Sequence, residues 1–318
     1  MTDLIKTQHF TKQYDKILQN INFFPEEAID PFAGDCDLKN YSPNTKWIFY
    51  DIESKNNKVI KNDSLLNPID YTNKTVITNP PYLARNKTKD FKKIFDKYNV
   101  DDLYKAAILS IIGCKNGILI IPFNFFTDEA TSEIRKQFLS RYKVSYVNVF
   151  TEQVFENTAY NVCSFYFERG ITDNVSFYNN GKILSTLLKE EYEYRLGGDF
   201  YALFKNQEKK FDRVRTGKEK YITNIFFTAL DNRKERINLS YNPNIYIGKV
   251  SDRIFGTLVS KVELSEEQQK ELIAKFNNFL NSERDKYNNL ILTTYRDFGR
   301  KRISFENIYK ICSMLIKY

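Results

Sequence analysis

The sequence predicts an α/β protein: a doubly wound sheet of about seven strands followed by a C-terminal α+β region. Three observations carry this reading. Short apolar runs recur early in the chain, each with an acidic residue near its end. The first two of those acids, Asp30 and Asp51, lie 21 residues apart, close to one strand-crossover-strand step. Positive charge is concentrated in the second half of the 318 residues.

Taken in order, Ala28-Ile29-Asp30-Pro31-Phe32-Ala33-Gly34-Asp35-Cys36 reads as a short strand running into a tight loop. Trp47 to Ile52 is a second apolar strand ending in Asp51, and Val59-Ile60 leads to a third acidic end at Asp63. Only about ten residues separate the first loop from Trp47, so the first crossover helix is expected to be very short or partly irregular. Thr75 to Thr78 is a fourth strand, stopped by Asn79-Pro80-Pro81-Tyr82. Parallel strands collect their carboxyl ends on one side. Asp30, Asp51, Asp63 and Asn79 are therefore expected to line a single crevice, although each acid alone reads as a loop or cap residue.

Farther on, Val100 to about Ile112 reads as a helix, Gly117 to Pro122 as a buried parallel strand, and Asp128 to Tyr142 as an amphipathic helix. Val144 to Phe150 and Val162 to Phe167 complete the sheet. The character changes near residue 170, which divides the chain into expected domains 1–170 and 171–318. Val175 to Leu184 holds an Asn180-Gly181 turn signal and reads as a hairpin opening the second domain. Ser265 caps a helix running to about Leu280, and Ser304 caps another whose Phe305, Ile308, Cys312, Leu315 and Ile316 form one apolar stripe.

The most informative stretch is Asn79-Pro80-Pro81-Tyr82. An exocyclic amine on an aromatic base, or an amide nitrogen, is a poor nucleophile because its lone pair is conjugated. The Asn79 side-chain oxygen and the Pro80 carbonyl can each accept one N–H, localising that lone pair toward an electrophile held in line. Prolines carry no N–H, so these acceptors are expected to go unsatisfied locally, and Tyr82 offers a flat face for stacking an extruded base. The plain alternative is a turn that merely ends a strand.

With the acidic strand ends before it, this tetrapeptide resembles the S-adenosylmethionine-dependent DNA adenine-N6 methyltransferases, in the group whose cofactor motifs precede the catalytic turn and whose target-recognition region follows. The resemblance covers roughly the first half of the chain. It implies a Rossmann-like methyltransferase sheet in which Asp30, Pro31, Phe32, Ala33 and Gly34 wrap the methionine end of the cofactor. Asp51, with Ile52 beside it, would bind the ribose, and Asp63, with Ser64, would accept from the cofactor's adenine amino group. Phe10 and Thr11, in Gln8-His9-Phe10-Thr11, resemble the N-terminal cofactor motif, and Asn79 would touch both cofactor and base. Val154-Phe155 stands where the family has a second wall for the flipped adenine; otherwise Phe155 is an ordinary core aromatic. The family loop usually has a second glycine where this chain has Cys36, so the loop is expected either to use negative φ there or to hold the cofactor differently.

Composition excludes other chemistries. The chain is 42% hydrophobic and 15% aromatic, hence globular. Cys36, Cys114, Cys163 and Cys312 are widely spaced and His9 is the only histidine, so a zinc site, a disulfide framework and a Ser-His-Asp triad are all unsupported. The expected setting is reducing and cytoplasmic, in a prokaryote or virus, with no membrane span and no metal.

Residues 1–170 hold 22 Lys+Arg against 21 Asp+Glu, whereas 171–318 hold 26 against 19. A basic half beside a base-modifying site is the footprint of a surface that neutralises a phosphate backbone. Candidate DNA-contacting residues are Arg213, Arg215, Arg233, Lys234, Arg300, Lys301 and Arg302, with Arg85, Lys87 and Lys89 in the loop after the catalytic turn. Any one cluster also reads as a solvated face. The expectation is a monomeric enzyme that methylates a flipped adenine in double-stranded DNA. It would serve a restriction-modification system, paired in function with an endonuclease without a stable complex. Methylation of a protein glutamine amide or of an rRNA amino group, and an inactive DNA-binding homologue, stand as alternatives.

Overall fold

The structure is a computed structural model describing residues 13–53, 57–155, 160–232, 234–244, 254–294 and 300–316. Two compact units divide at Leu196 and Gly197.

The first unit contains α1 (Tyr14–Ile17), β1 (Glu27–Asp30), β2 (Lys46–Asp51), β3 (Val59–Lys61), β4 (Thr75–Thr78), α2 (Lys92–Tyr98), α3 (Leu103–Ser110) and β5 (Asn116–Pro122). There follow α4 (Asn124–Thr127), α5 (Ser132–Leu139), β6 (Tyr142–Lys143), β7 (Tyr146–Phe150), β8 (Val162–Arg169), β9 (Asn174–Asn179) and β10 (Lys182–Leu187). The strands form one sheet in the order β10-β9-β7-β8-β5-β4-β1-β2-β3, with β6 on β8. Strands β1 to β5 pair in parallel. β8 runs antiparallel between β5 and β7.

The chain leaves β1 toward β2 and β3 and returns to β4 on the other side. Between β1 and β4 lies the point where strand order reverses, the place where such sheets open a crevice. Close approach of β4 and β5 depends on Gly117: a Cβ there would stand 1.7 Å from the Val76 carbonyl oxygen on β4. The β1–β2 crossover is irregular, as expected, with one 3-10 turn over Asp37–Asn40.

Two expectations are corrected. The sheet has ten strands rather than about seven, because β6, β9 and β10 extend it. The Asn180-Gly181 hairpin forms, with φ of 48° and 80° at the turn, but β9 pairs in parallel with β7. The hairpin thus belongs to the first unit rather than opening the second, and the boundary lies at 196/197 instead of near 170. A hairpin's local residues specify its turn and register, while the strand it docks on is settled by what its apolar side chains, here Val175 and Phe177, both wholly buried, meet in the packed chain.

The second unit has α6 (Gly198–Lys205), β11 (Phe211–Arg213), β12 (Ile222–Thr228), β13 (Asn238–Tyr241), β14 (Phe255–Ser260), α7 (Glu266–Lys286), β15 (Thr293–Thr294), β16 (Lys301–Arg302) and α8 (Phe305–Leu315). An antiparallel sheet in the order β11-β14-β12-β13 packs against α7 and α8. Helix α7 begins with a Ser265–Gln268 capping box and runs past Leu280 to Lys286. Ile308, Cys312 and Ile316 of the predicted stripe are buried, and Phe305 and Leu315 are half-buried. The unit also encloses an ion pair that hydrophobic patterning does not announce. Arg284, 1% exposed, makes a two-pronged contact with Asp231, with Nη2–Oδ2 at 2.6 Å and Nη1–Oδ1 at 3.4 Å.

Candidate active site

A cleft enclosing about 860 Å³, open at its mouth, lies against the carboxyl ends of β1 to β4. Asp30, Pro31, Phe32, Ala33, Gly34, Asp51, Ile52, Asp63, Ser64 and Asn79 all line it, so ten residues singled out from sequence meet in one place. Phe10 and Thr11 lie outside the described residues.

The loop after β1 is tied to β2 by its own backbone. Gly34 N donates to Asp51 Oδ2 at 2.8 Å, and Ala33 N donates to the Tyr50 carbonyl at 2.9 Å. Asp51 Oδ1 accepts from Glu53 N at 2.9 Å. Each carboxylate oxygen has two lone pairs, so these bonds orient Asp51 and still leave it acceptor capacity toward the cleft. Gly34 has a φ of 51°, and no atom lies within 4 Å of where its Cβ would be, which leaves room for a ligand over the backbone. Cys36 adopts a φ of 63°. Of the two expected outcomes, negative φ is excluded: the cysteine occupies the left-handed conformation that a glycine takes freely, at a small energetic cost.

Asp30, 2% exposed, accepts from Thr78 Oγ1 at 2.7 Å and from Phe32 N at 3.1 Å. Burial raises its carboxyl to about 7, and neighbouring Asp51 pushes the same way. The acid at the strand tip is thus poised to ionise when positive charge arrives. Asp63 Oδ1 is used in a local turn, accepting from Leu65 N and Leu66 N at 3.0 and 2.9 Å, as the loop-residue reading expects, and the residue also lines the cleft.

Asn79 follows β4 directly and is 9% exposed. Its Oδ1 lies 2.5 Å from the Tyr82 hydroxyl, which is also 2.7 Å from the Ile120 carbonyl of β5. Two expectations change here. The Asn79 acceptor does have a local partner, because the tetrapeptide curls back far enough for the tyrosine to reach it. Tyr82 is 4% exposed, stands at 88° to the Tyr104 ring with centroids 6.4 Å apart and does not line the cleft, so its ring is covered. Pro80 is buried behind the turn, while Pro81 takes part in the lining.

The turn is clamped from the other side by the start of α3. Asp102 Oδ1 accepts from Leu83 N at 3.1 Å, Leu103 N donates to Leu83 O at 3.2 Å, and Arg85 N donates to Asp101 O at 2.7 Å. Burial raises the Asp102 carboxyl to about 6. Phe91, Ile94 and Leu103 supply an apolar wall that sequence reasoning missed. The only signal was apolar spacing in the segment after the basic loop. Phe155 is 2% exposed and does not line this cleft, a placement that fits a core aromatic.

The predicted cations divide. Arg85 is paired with Asp96 at 2.6 Å, Lys87 bonds the Tyr160 hydroxyl at 3.1 Å, and Lys89 is exposed. Arg213 lies over the Phe305 ring at 5.5 Å, Arg215 and Lys234 are exposed, and Arg300 and Arg302 are half-buried. Arg233 falls outside the described residues. Lys301 is corrected outright. It is 8% exposed, bonds the Asn289 carbonyl, and burial lowers its ammonium to about 8, so it is a part of the interior rather than a surface contact.

A wide cleft with an ionisable acid, a second acid on the next strand and an uncrowded glycine backbone has room and acceptors for a polar ligand that carries positive charge. Residues 39–196 match the sequence model of the N-6 DNA methylase family. No curated protein matches the chain. Among solved structures, one from Vibrio vulnificus YJ016, described as a candidate modification subunit of a type I restriction enzyme, is 12% identical, with a TM-score of 0.43 over 62% of this chain and 51% of that one. The M protein of the type I restriction enzyme EcoKI is 14% identical, with a TM-score of 0.42 over 54% and 48%. A type I methyltransferase subunit from Streptococcus thermophilus is 14% identical, with a TM-score of 0.39 over 54% and 46%. The chain spans about half the length of these structures. The family match, over 158 of the 318 residues, makes S-adenosylmethionine the cofactor implied for this chain.

Proposed function

We propose that this protein methylates the N6 amino group of an adenine extruded from double-stranded DNA at a specific sequence, as the modification activity of a restriction-modification system. The observation that carries it is the position of Asn79. It stands at the tip of β4, beside the reversal of strand order, and lines the same cleft as Asp30, Gly34 and Asp51.

In this reading the Asp30 to Gly34 loop, Asp51 with Ile52, and Asp63 with Ser64 hold the cofactor, which supplies an electrophilic methyl carbon on a sulfonium. Asn79 Oδ1 and the Pro80 carbonyl accept the two N–H groups of the amine and draw its lone pair out of conjugation. The Tyr82 hydroxyl and the Asp102 clamp keep that turn in place, so little reorganisation remains when the base arrives. Extruding the base costs a few kcal/mol, to be offset by contacts in the pocket and along the backbone.

Charge supports the polyanionic substrate. With the boundary at 196/197, the first unit holds 25 Lys+Arg against 25 Asp+Glu, and the second holds 23 against 15, so the whole net charge of +8 resides in the second. A protein substrate would leave that basic unit without a task.

The test is expression in a methylation-free host followed by sequencing sensitive to N6-methyladenine. A single methylated motif is expected, lost in Asn79→Ala, whose cofactor affinity stays within a few-fold of the parent. Unmodified DNA from a folded, cofactor-binding protein would refute the proposal.

A further inference from the structure

The turn between β11 and β12 has an unusual internal anchor. The backbone N–H groups of Arg215, Thr216 and Gly217 converge on the Glu219 carboxylate at 2.8, 2.8 and 2.9 Å, and Thr216 Oγ1 joins them at 3.1 Å. Gly217 has a φ of 76°, which lets successive N–H groups face the same point. Such a concavity is a ready anion site, and here the chain's own carboxylate fills it. Burial alone would raise the Glu219 carboxyl, but the N–H groups of Thr216 and Arg215 outweigh it and hold the group at about 2. Glu219 is therefore ionised at any ordinary pH, and its charge is consumed inside the turn.

Asp212, the other acid in this stretch, is similarly engaged, 3.6 Å from Lys209 and 3.5 Å from Arg215. Outward, the turn presents Arg215, Lys218 and Lys220, all exposed, with no large apolar side chain among the exposed residues. Point charges on a rigid turn suit a row of phosphates. They do not suit a membrane, which would want an apolar anchor, or base edges, which want directional donors and acceptors.

We propose that this turn is a contact to the phosphate backbone of duplex DNA, with Lys218 and Lys220 neutralising phosphates and Glu219 fixing the turn beforehand. The proposal rests on the DNA reading above and locates one place where the basic unit touches its substrate.

The experiment measures duplex affinity of the full chain across a salt series. For Lys218→Ala/Lys220→Ala, the slope of log K against log salt is expected to become shallower by about 2, since each neutralised phosphate contributes about 0.9. The thermal midpoint should not change, and Lys218→Gln alone should lower the slope by about 1. An unaltered slope in folded variants overturns the proposal. Glu219→Gln separates preorganisation from simple charge. It removes one negative charge, so electrostatics alone predicts tighter binding, whereas loss of the anchor predicts binding weaker by several-fold; tighter binding sinks the anchoring role. Preference for duplex RNA over duplex DNA would overturn the choice of partner. A parent protein that methylates DNA while the variants keep its salt slope removes only this inference. A parent that binds no duplex removes the proposed function as well.

Discussion

The Tyr82 hydroxyl lies between two oxygens, Asn79 Oδ1 at 2.5 Å and the Ile120 carbonyl at 2.7 Å. A phenol has one proton, so it cannot serve both fully, and its position ties the Asn79 carboxamide to the neighbouring strand. Tyr82→Phe keeps the ring and removes the tether. Losing a buried hydrogen bond of this kind costs roughly 1 to 3 kcal/mol. The expected outcome is a kcat reduced about ten- to hundredfold with cofactor affinity unchanged, read from single-turnover kinetics and cofactor titration. An unchanged kcat would show that the ring acts by packing alone.

Asp30 links cofactor binding to pH. Its carboxyl is raised from the ordinary value of 3.8 to about 7 by burial, so without ligand the folded protein favours the neutral form. Its contribution to stability is full below pH 3.8 and is lost as pH rises through about 7, because the folded state binds the proton more tightly than the unfolded state. A cofactor with sulfonium and ammonium charges favours the ionised form. Below pH 7, then, binding should release a proton, and affinity should fall toward tenfold per pH unit. Calorimetry at pH 6 in buffers of different ionisation heat measures that proton directly, and Asp30→Asn should abolish it. No release at pH 6 contradicts the assignment.

Gly117 is the place where β4 and β5 admit no side chain. A Cβ at this position would meet the Val76 carbonyl oxygen at 1.7 Å, so Gly117→Ala must separate two central strands. Overpacking of this sort costs roughly 1 to 3 kcal/mol or more. Urea unfolding should show that loss, and turnover should drop with it, because Asn79 sits at the end of the displaced strand. A stability equal to the parent's would show that the strands separate at no cost.

In the second unit, Arg284 and Asp231 face each other out of reach of solvent, each 3% exposed or less at the side chain. Arg284→Ala leaves a buried carboxylate unpaired, and removing one partner of such a pair costs about 3 to 5 kcal/mol. Lys301→Ala should also reduce stability, yet leave the salt dependence of DNA binding as it was. A shallower slope in Lys301→Ala would return that lysine to the DNA surface.

Much of the catalytic half was legible because its signals are local. Strand ends carry their acids within a few residues and parallel strands put their carboxyl ends on one side, so Asp30, Asp51, Asp63 and Asn79 meet at one cleft, and the family resemblance supplies the other six lining residues. Which of the two outcomes holds at Cys36 was not legible, since a left-handed φ on a non-glycine residue depends on what surrounds the loop. The reach of Tyr82 back to Asn79 depends likewise on where Ile120 stands, about forty residues away in sequence.

By itself, then, the sequence determined most strands of the first sheet, the strand edge at which the candidate residues gather and the concentration of positive charge in the second half. Tertiary structure alone decided that the Asn180-Gly181 hairpin extends the first sheet, that Lys301 is interior, and that Tyr82 offers its hydroxyl rather than its face. Hydrogen-bonding potential and hydrophobic period are properties of neighbouring residues. Which distant partner satisfies a buried polar group, and which strand receives an apolar edge, are settled only when the whole chain packs.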